Sequence, residues 1–289
     1  MLRYYACALI FLVLCSVSMV GAKDAGPVTL TCGDLTVVLD DTKAFTIKQI
    51  TYKDFPMLAE GAGLHSGTVL SLGGDKWIGS GFGDEKVSLR LLKVDKKQEK
   101  FKEGATYTAK DKIIYEKKSS LGPFKLNWAM EIRTNEISHH LELKRSRSVP
   151  VEKMYAFLFP FTKEFNLFCG QVWGDTDLAK RFDGAFYGEN ADLLGDNIRW
   201  FTVYCNERHT GIVCAYGKEY KGEEEQTILI DKPELREYHF RPKIMHDGRG
   251  EDLEFELIMH FLECKQGELA KKSCQIVGSK WGPDMGNGK

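Results

Sequence analysis

The sequence predicts an all-β protein built as a large antiparallel sandwich of two sheets. Short runs of alternating or apolar residues recur along the chain with turn residues between them, which is typical of a sandwich or a barrel. Helical periodicity is scarce, and no repeat of fixed period points to a propeller. Hydrophobic residues make up 43% of the 289 residues, which supports a sizeable core and excludes disorder as the main state.

About fifteen strands are expected from these runs. Thr134-Asn135 separates two of them and predicts a hairpin. In chain order the expected strands are Val28–Cys32, Leu35–Leu39, Phe45–Tyr52, Gly67–Leu72, Lys86–Val94, Ala105–Ala109, Lys112–Lys118, Phe124–Arg133, Ile137–Lys144, Tyr155–Pro160, Trp200–Asn206, Gly211–Tyr216, Glu225–Ile230, Arg236–Pro242 and Leu253–Leu262.

Helix is expected mainly at Gln266–Ile276. Residues Asp177–Leu194 contain helix formers interrupted by three glycines, so a long irregular excursion with at most one helical turn is expected there. No linker rich in Pro, Gly and Ser divides the chain. Residues 23–280 are therefore expected to form one domain, followed by a frayed Gly-rich tail at 281–289.

The first 22 residues have the three-part form of a secretory signal. One Arg lies among the first five residues, an apolar run follows from Ala6 to Val20, and Gly21-Ala22 supplies small residues before Lys23. The run is short for a bilayer span, which takes about 20 apolar residues. We expect cleavage after Ala22 and a secreted or periplasmic protein, with a retained N-terminal anchor as the alternative.

Charge and motifs exclude several classes of partner. The chain has 40 Lys and Arg against 41 Asp and Glu, so there is no electrostatic case for nucleic acid or, after signal cleavage, for a membrane. Gly-x-Ser-x-Gly, His-Glu-x-x-His and Cys-x-x-Cys are absent from the sequence, and no helix is expected after the Gly-rich segment Gly79–Gly83. Neither a metal nor a cofactor is expected, and the oligomeric state is left open.

An even number of cysteines follows the signal segment and permits disulfides in an exported protein. A turn centred on His209-Thr210 would set Cys205 opposite Cys214 across a hairpin, so a Cys205–Cys214 disulfide is expected. Two buried free thiols are the alternative. The pairing of the other four is left open: Cys32, Cys169, Cys264 and Cys274.

Two late strands carry the main candidates for chemistry. His239 and Arg241 project from one face of their strand, opposite two aromatic residues, and Glu254 and Glu256 lie on the polar face of Leu253–Leu262. If the two strands are neighbours, the four residues share one concave polar surface. A His that moves a proton beside an Arg and a Glu suits acid–base work on a sugar. The alternative is a solvated salt-bridge face.

Three further residues are candidates for binding. His65 lies in a Gly-rich loop, where binding residues often gather. His139 shares an apolar strand face, which favours a hydrogen-bonded core histidine over a substrate ligand. Trp77 lies near glycines and is expected to be exposed, with a ring that could stack on a sugar or anchor the core.

The order and length of the strands resemble the galactose mutarotase-like supersandwich. The resemblance is carried by the opening stretch Leu35–Leu58 and by the closing stretches Arg236–Pro242 and Gly250–Leu262. It implies a supersandwich fold and a carbohydrate ligand, with His239 or His65 as acid or base. The mutarotase signature Asn-His-x-Tyr-Phe-Asn-Leu does not occur, and fold is shared more widely than activity.

Three function classes are therefore open. The leading hypothesis is a secreted carbohydrate-binding or carbohydrate-active protein, with proton transfer on a sugar as its chemistry. The second is a polysaccharide lyase that uses Arg241 to hold a uronate, and the third is a non-catalytic binding or scaffold module of the cell envelope. An exposed aromatic platform would favour binding, whereas a deep cleft with His239 and Arg241 would favour an enzyme.

Overall fold

The computed structural model describes residues 26–60, 66–146, 149–172, 198–217, 226–242 and 252–281, and these ranges contain 19 strands and one α-helix. The strands are β1 (Val28–Cys32), β2 (Leu35–Asp40), β3 (Thr46–Tyr52), β4 (Phe55–Pro56), β5 (Gly67–Ser71), β6 (Trp77–Gly79), β7 (Lys86–Val94), β8 (Lys97–Glu99), β9 (Thr106–Ala109), β10 (Ile113–Leu121), β11 (Phe124–Arg133), β12 (Glu136–Arg145), β13 (Lys153–Thr162), β14 (Leu167–Val172), β15 (Ile198–Cys205), β16 (Thr210–Tyr216), β17 (Gln226–Asp231), β18 (Leu235–Arg241) and β19 (Asp252–Glu263). The helix is α1 (Leu269–Trp281), and short 3₁₀ turns lie at Ser80–Phe82 and Gln266–Glu268. The expected signal segment, His65, the excursion expected at 177–194 and residues 282–289 lie outside the described ranges.

All fifteen predicted strands are present, and the all-β class is confirmed. Four strands were not predicted: β4, β6, β8 and β14. Three of these have only two or three residues, which is too short for an alternating pattern to show. The predicted helix is confirmed and continues to Trp281. No helix in the described ranges is both long and apolar enough to cross a bilayer.

The strands form three sheets. Sheet I has the order β4-β3-β2-β1-β9, sheet II has the order β14-β15-β16-β19-β12-β11-β10-β7-β8, and sheet III has the order β17-β18-β13-β5-β6. Neighbouring strands are antiparallel except for β1 and β9, which are parallel. The predicted Thr134-Asn135 hairpin is confirmed, since Arg133 pairs with Glu136 across it.

Sheets I and III together form one layer of the sandwich. The extended segment Met57–Ala59 joins them, because the Met57 amide donates to Ile50 of β3 and the Ala59 amide donates to Pro160 of β13. Sheet II is the opposite layer. The ring of Tyr52 lies 5.7 Å from that of Phe261, so that β3 packs on β19 across the core. The predicted two-layer sandwich is thus present, with one layer divided into two sheets.

The main core lies between the layers, and a second one lies outside them. Phe240 of β18 meets Phe255 of β19 with ring centroids 5.7 Å apart, which fixes the inner faces of sheets III and II. On the outer face of sheet II, helix α1 covers a separate apolar cluster around Trp200. Thr202 and Ser273 join helix and strand by a hydrogen bond of 2.8 Å between their hydroxyl oxygens.

The predicted Cys205–Cys214 disulfide is wrong. Cys205 pairs in register with Thr210, and Cys214 pairs with Phe201, so the two cysteines lie four residues apart along the hairpin. At about 3.4 Å per residue, this separation exceeds the roughly 7 Å that a disulfide can bridge. Both thiols are free and buried, which is the alternative that the sequence left open.

Candidate functional site

Strand β18 has two faces of opposite character, as the alternation of its residues predicts. Tyr238 and Phe240 point into the main core. His239 lies on the other face, the outer face of sheet III, together with Glu237. Both side chains are buried, with exposed fractions of 5% and 4%.

An aromatic row crosses the outer face of sheet III. The Trp77 ring of β6 lies nearly parallel to the Tyr155 ring of β13, with centroids 5.6 Å apart and an interplanar angle of 13°. Tyr155 in turn lies over His239, with centroids 4.2 Å apart. Trp77 is 39% exposed, as the sequence predicts. Two of the candidate residues, Trp77 and His239, are therefore brought together through a tyrosine that was not singled out.

Phe82 extends the row on the same face. Gly79 pairs with Val69, which pairs with Tyr155, so a side chain at position 79 would point outward beside them. A Cβ atom there would lie 2.9 Å from the Phe82 ring. The ring therefore packs over the glycine in space that a side chain at position 79 would fill. Phe82 is 45% exposed. We call Phe82, Trp77, Tyr155 and His239 the aromatic patch.

A buried ionic group supports the patch from one side. The His239 Nε2 atom lies 2.6 Å from Glu237 Oε1, and Lys232 pairs with the other oxygen of Glu237. Burial opposes ionisation of Glu237, but the contacts with His239 and Lys232 outweigh it and hold the pKa of this carboxyl below its usual value. Glu237 is therefore a carboxylate at neutral pH, although little of it is exposed.

Two basic residues lie on the same face of sheet III as the patch. Arg241 follows His239 by two residues on the same strand face and is half-buried. Lys153 is exposed and shares a row with Trp77, because both pair with Ser71 of β5. The outer face of sheet III thus carries a carboxylate at Glu237, the aromatic rings and two basic residues.

The expected meeting of His239 and Arg241 with Glu254 and Glu256 does not occur. Strand β18 belongs to sheet III, whereas β19 pairs with β12 and β16 in sheet II. The aromatic faces of both strands meet in the core, so their polar faces lie on opposite outer surfaces of the sandwich. The predicted shared concave surface is therefore wrong.

Glu254 and Glu256 instead surround His140 on the outer face of sheet II. Their carboxylate oxygens lie 3.8 and 3.7 Å from the His140 ring nitrogens, and Glu142 lies 3.3 Å away. His140, Glu254 and Glu256 are spaced closely enough to hold a metal ion, but both glutamates are exposed. This arrangement matches the alternative of a solvated salt-bridge face, and such pairs contribute little stability.

His139 lies inside the sandwich, as its apolar strand face indicates. It is 2% exposed, and the Trp128 Nε1 atom donates to its Nδ1 atom at 3.4 Å. Burial lowers the pKa of His139 to about 3, so its ring is neutral under ordinary conditions. The interpretation as a hydrogen-bonded core histidine is the one that this geometry supports.

Next to His139 lies a buried ion pair that the sequence analysis missed. Lys117 and Glu85 meet at 2.8 Å with side chains 3% and 0% exposed, and the Ser119 hydroxyl donates to the same carboxylate. The Lys117 ammonium group also lies 5.1 Å from the centre of the Trp128 ring. We call Glu85, Lys117, Ser119, Trp128 and His139 the interior polar cluster.

Solved structures of known proteins resemble this chain in fold. The chain aligns with the alpha-N-acetylgalactosaminidase of Bifidobacterium bifidum at a TM-score of 0.56 and 7% identity, over 88% of this chain and 39% of that one. It aligns with the alpha-galactosidase of Geobacillus stearothermophilus at a TM-score of 0.51 and 9% identity, over 87% of this chain and 42% of that one. The chain therefore spans less than half the length of these glycosidases.

A shorter protein also aligns along most of its length. This is a galactose mutarotase-like protein of Clostridium acetobutylicum, with a TM-score of 0.47 and 8% identity over 82% of this chain and 95% of that one. No protein-family model matches the sequence, and the comparison with curated proteins gave no match. The chain thus shares its fold with carbohydrate-active proteins, at sequence identities that show the fold alone.

Proposed function

We propose that the protein binds a carbohydrate on the aromatic patch and works outside the cytoplasm. The observation that carries the proposal is the exposed Trp77 ring, held parallel to Tyr155 on an open sheet face. Such rings offer an apolar face on which the C–H face of a sugar stacks. The fold likeness adds support, because the two glycosidases that share this fold act on sugars.

Binding is favoured over proton transfer by the burial of the acid–base groups. Tyr155 covers His239, and Glu237 is 4% exposed, so a sugar stacked on Trp77 meets rings before it meets these two residues. A general acid or base must come within hydrogen-bond distance of the atom that it protonates or deprotonates. His239, paired with Glu237, therefore packs under Tyr155, and the ligand contacts Trp77, Tyr155 and Phe82.

The charges on the same face favour an acidic sugar. Arg241 and Lys153 both lie on the outer face of sheet III, where a cation could meet the carboxylate of a bound uronate. An Arg side chain can hold a carboxylate through two parallel hydrogen bonds, which a Lys cannot do. The proposed ligand is a uronate-containing glycan, as in the polysaccharide-lyase hypothesis, but the protein is proposed to bind it and not to cleave it.

The test is a binding measurement on the full exported protein. A glycan array selects the best neutral and uronate-containing oligosaccharides, and isothermal titration calorimetry then measures their affinities. Trp77→Ala should weaken binding about tenfold, which corresponds to the loss of one stacking contact. Arg241→Ala should abolish the preference for uronates while neutral sugars keep their affinity.

Leu89→Ala is the matched control, because Leu89 is 41% exposed on β7 of sheet II, whereas the patch lies on sheet III. It should leave the affinity unchanged. Equal affinities of the parent and Trp77→Ala would refute the proposal, as would a parent protein that binds no glycan. Polarimetry on aldose sugars tests the competing chemistry, and a mutarotation rate that depends on His239 would favour an enzyme.

The location is tested separately by mass spectrometry of the exported protein. Lys23 or a close neighbour should be the N-terminal residue, as the small residues before it predict. An intact Met1 on the mature protein would contradict cleavage and favour an N-terminal anchor.

A further inference from the structure

The interior polar cluster borders a cavity between the two layers. The cavity has a volume of about 30 Å³, and side chains from all three sheets line it. Thr46 of β3 belongs to sheet I, Thr68 of β5 to sheet III, and Lys117 and His139 to sheet II. The cavity therefore lies in the core where the three sheets meet.

Three buried polar atoms on its lining residues have no hydrogen-bond partner within the described part of the chain. They are Thr46 Oγ1, Glu85 Oε2 and His139 Nε2. Their residues are 2%, 7% and 2% exposed, so all three atoms are buried. A buried polar atom without a partner is strongly destabilising, and native proteins seldom tolerate several around one point.

The donors and acceptors of these atoms are complementary to one another. Trp128 Nε1 can only donate, so the Nδ1 atom of His139 that receives it must be unprotonated. The low pKa of His139 leaves its ring neutral, and a neutral ring with a bare Nδ1 carries its proton on Nε2. Of the residues that line the cavity, His139 therefore offers a donor, Glu85 an acceptor, and Thr46 both.

We infer that the cavity is a binding site for one or two water molecules that join the three sheets. A water molecule can accept from His139 and donate to Glu85 or Thr46, which pairs all three atoms. A volume of about 30 Å³ is enough for one or two such molecules, since one needs about 10–15 Å³ of this space and two to four polar partners. A sugar or a cofactor is excluded by the same volume.

The inference does not depend on the sugar site, because the aromatic patch lies on the outer face of sheet III and the cavity on its inner side. A crystal structure at high resolution tests it directly. We expect density within about 3.2 Å of His139 Nε2 and of Glu85 Oε2 or Thr46 Oγ1. Empty density there, or entry of xenon into the parent cavity, would overturn the inference, since xenon binds dry apolar cavities.

Thr46→Val gives an independent test with two opposite outcomes. If bound water pairs with Thr46, the variant loses that hydrogen bond and its melting temperature falls by about 2–4 °C. If the cavity is dry, the variant removes an unpaired hydroxyl and its melting temperature rises. Thr68→Val is the control, because its hydroxyl lines the cavity but already donates to the Ala156 carbonyl oxygen at 3.1 Å. It should keep the water density.

Discussion

At the scale of single residues, Lys117 is a buried charged side chain that depends on specific partners. Its ammonium group meets Glu85 at 2.8 Å and donates to the Ala44 carbonyl oxygen at 3.0 Å. Burial lowers the pKa of Lys117, although the contact with Glu85 opposes this shift. The loop that it holds is itself unusual, since Ala44 and Phe45 both have φ values above +50°.

Lys117→Met should therefore destabilise the protein by about 3–5 kcal/mol, because it leaves the Glu85 carboxylate buried without a positively charged partner. Urea unfolding followed by circular dichroism measures the change. The double variant Glu85→Gln/Lys117→Met should recover part of the loss, since it removes the unpaired charge.

Lys118→Met is the control for Lys117→Met. Lys118 is the next residue on β10 and is exposed, so this variant should change the free energy of unfolding by less than about 0.5 kcal/mol. Equal effects at positions 117 and 118 would show that the ion pair contributes nothing.

The sequence pattern indicates that Lys117 is buried, but it does not identify the partner of this residue. Positions 113, 115, 117, 119 and 121 are buried and alternate with half-buried or exposed positions, so the pattern of Ile113, Tyr115 and Leu121 places Lys117 on the core face. A charged residue on such a face indicates a buried partner, yet nothing in the spacing identifies Glu85. That residue lies 32 positions away and meets Lys117 only through the pairing of β7 with β10.

At the scale of elements, the β15–β16 hairpin shows how register decides chemistry. The strands were predicted from their residues, but the turn was placed wrongly. The connection is the four residues Asn206–His209, and His209 ends it with φ +53°, which is uncommon outside glycine. A turn centred two residues later, on His209-Thr210, would have aligned Cys205 with Cys214. Turn geometry, and not composition, fixes which residues face each other.

We predict that Cys205 and Cys214 remain reduced in the exported protein. Burial raises the pKa of both thiols, that of Cys214 most strongly, so neither is present as the reactive thiolate. Iodoacetamide should label them only after denaturation. Peptide mapping without reductant should recover the two peptides separately, and a linked pair would contradict the observed register.

At the scale of the whole molecule, strand existence was predictable and strand neighbours were not. The runs around β18 and β19 are plain in the sequence, including which face of each is apolar. Their sheets are set by long-range pairing: Glu136 of β12 faces His260 of β19 across more than a hundred residues. The alternation of residues along each strand therefore predicted the correct faces for His239 and Glu254. It could not show that those faces lie on opposite sides of the sandwich.

For the same reason, only part of the aromatic patch could be predicted from the sequence. Trp77 beside glycines was expected to be exposed, and it is. Tyr155, which joins Trp77 to His239, points outward because the pairing of β13 with β5 shifts register between Tyr155 and Leu158. A bulge of this kind depends on both strands, so one strand's alternation does not reveal it.

The pH dependence of folding follows from the position of His139 between the two layers. Burial lowers the pKa of His139 from 6.5 to about 3 in the folded protein, whereas the unfolded chain keeps the ordinary value. Between these two values the unfolded chain binds a proton that the folded chain does not. The free energy of unfolding therefore falls as the pH is lowered through this window, by at most ~1.4 kcal/mol per pH unit from this group.

His139→Phe should remove this part of the pH dependence while an aromatic ring still fills the core. Urea unfolding at pH 6, 5 and 4 measures it, with the difference in slope between parent and variant as the readout, because other groups titrate in both proteins. His140→Phe is the matched control: it lies on the solvent face of the same strand and should keep the contribution of His139. Parallel pH profiles for the parent and His139→Phe would mean that His139 can take up a proton inside the folded sandwich, through water that reaches the cavity.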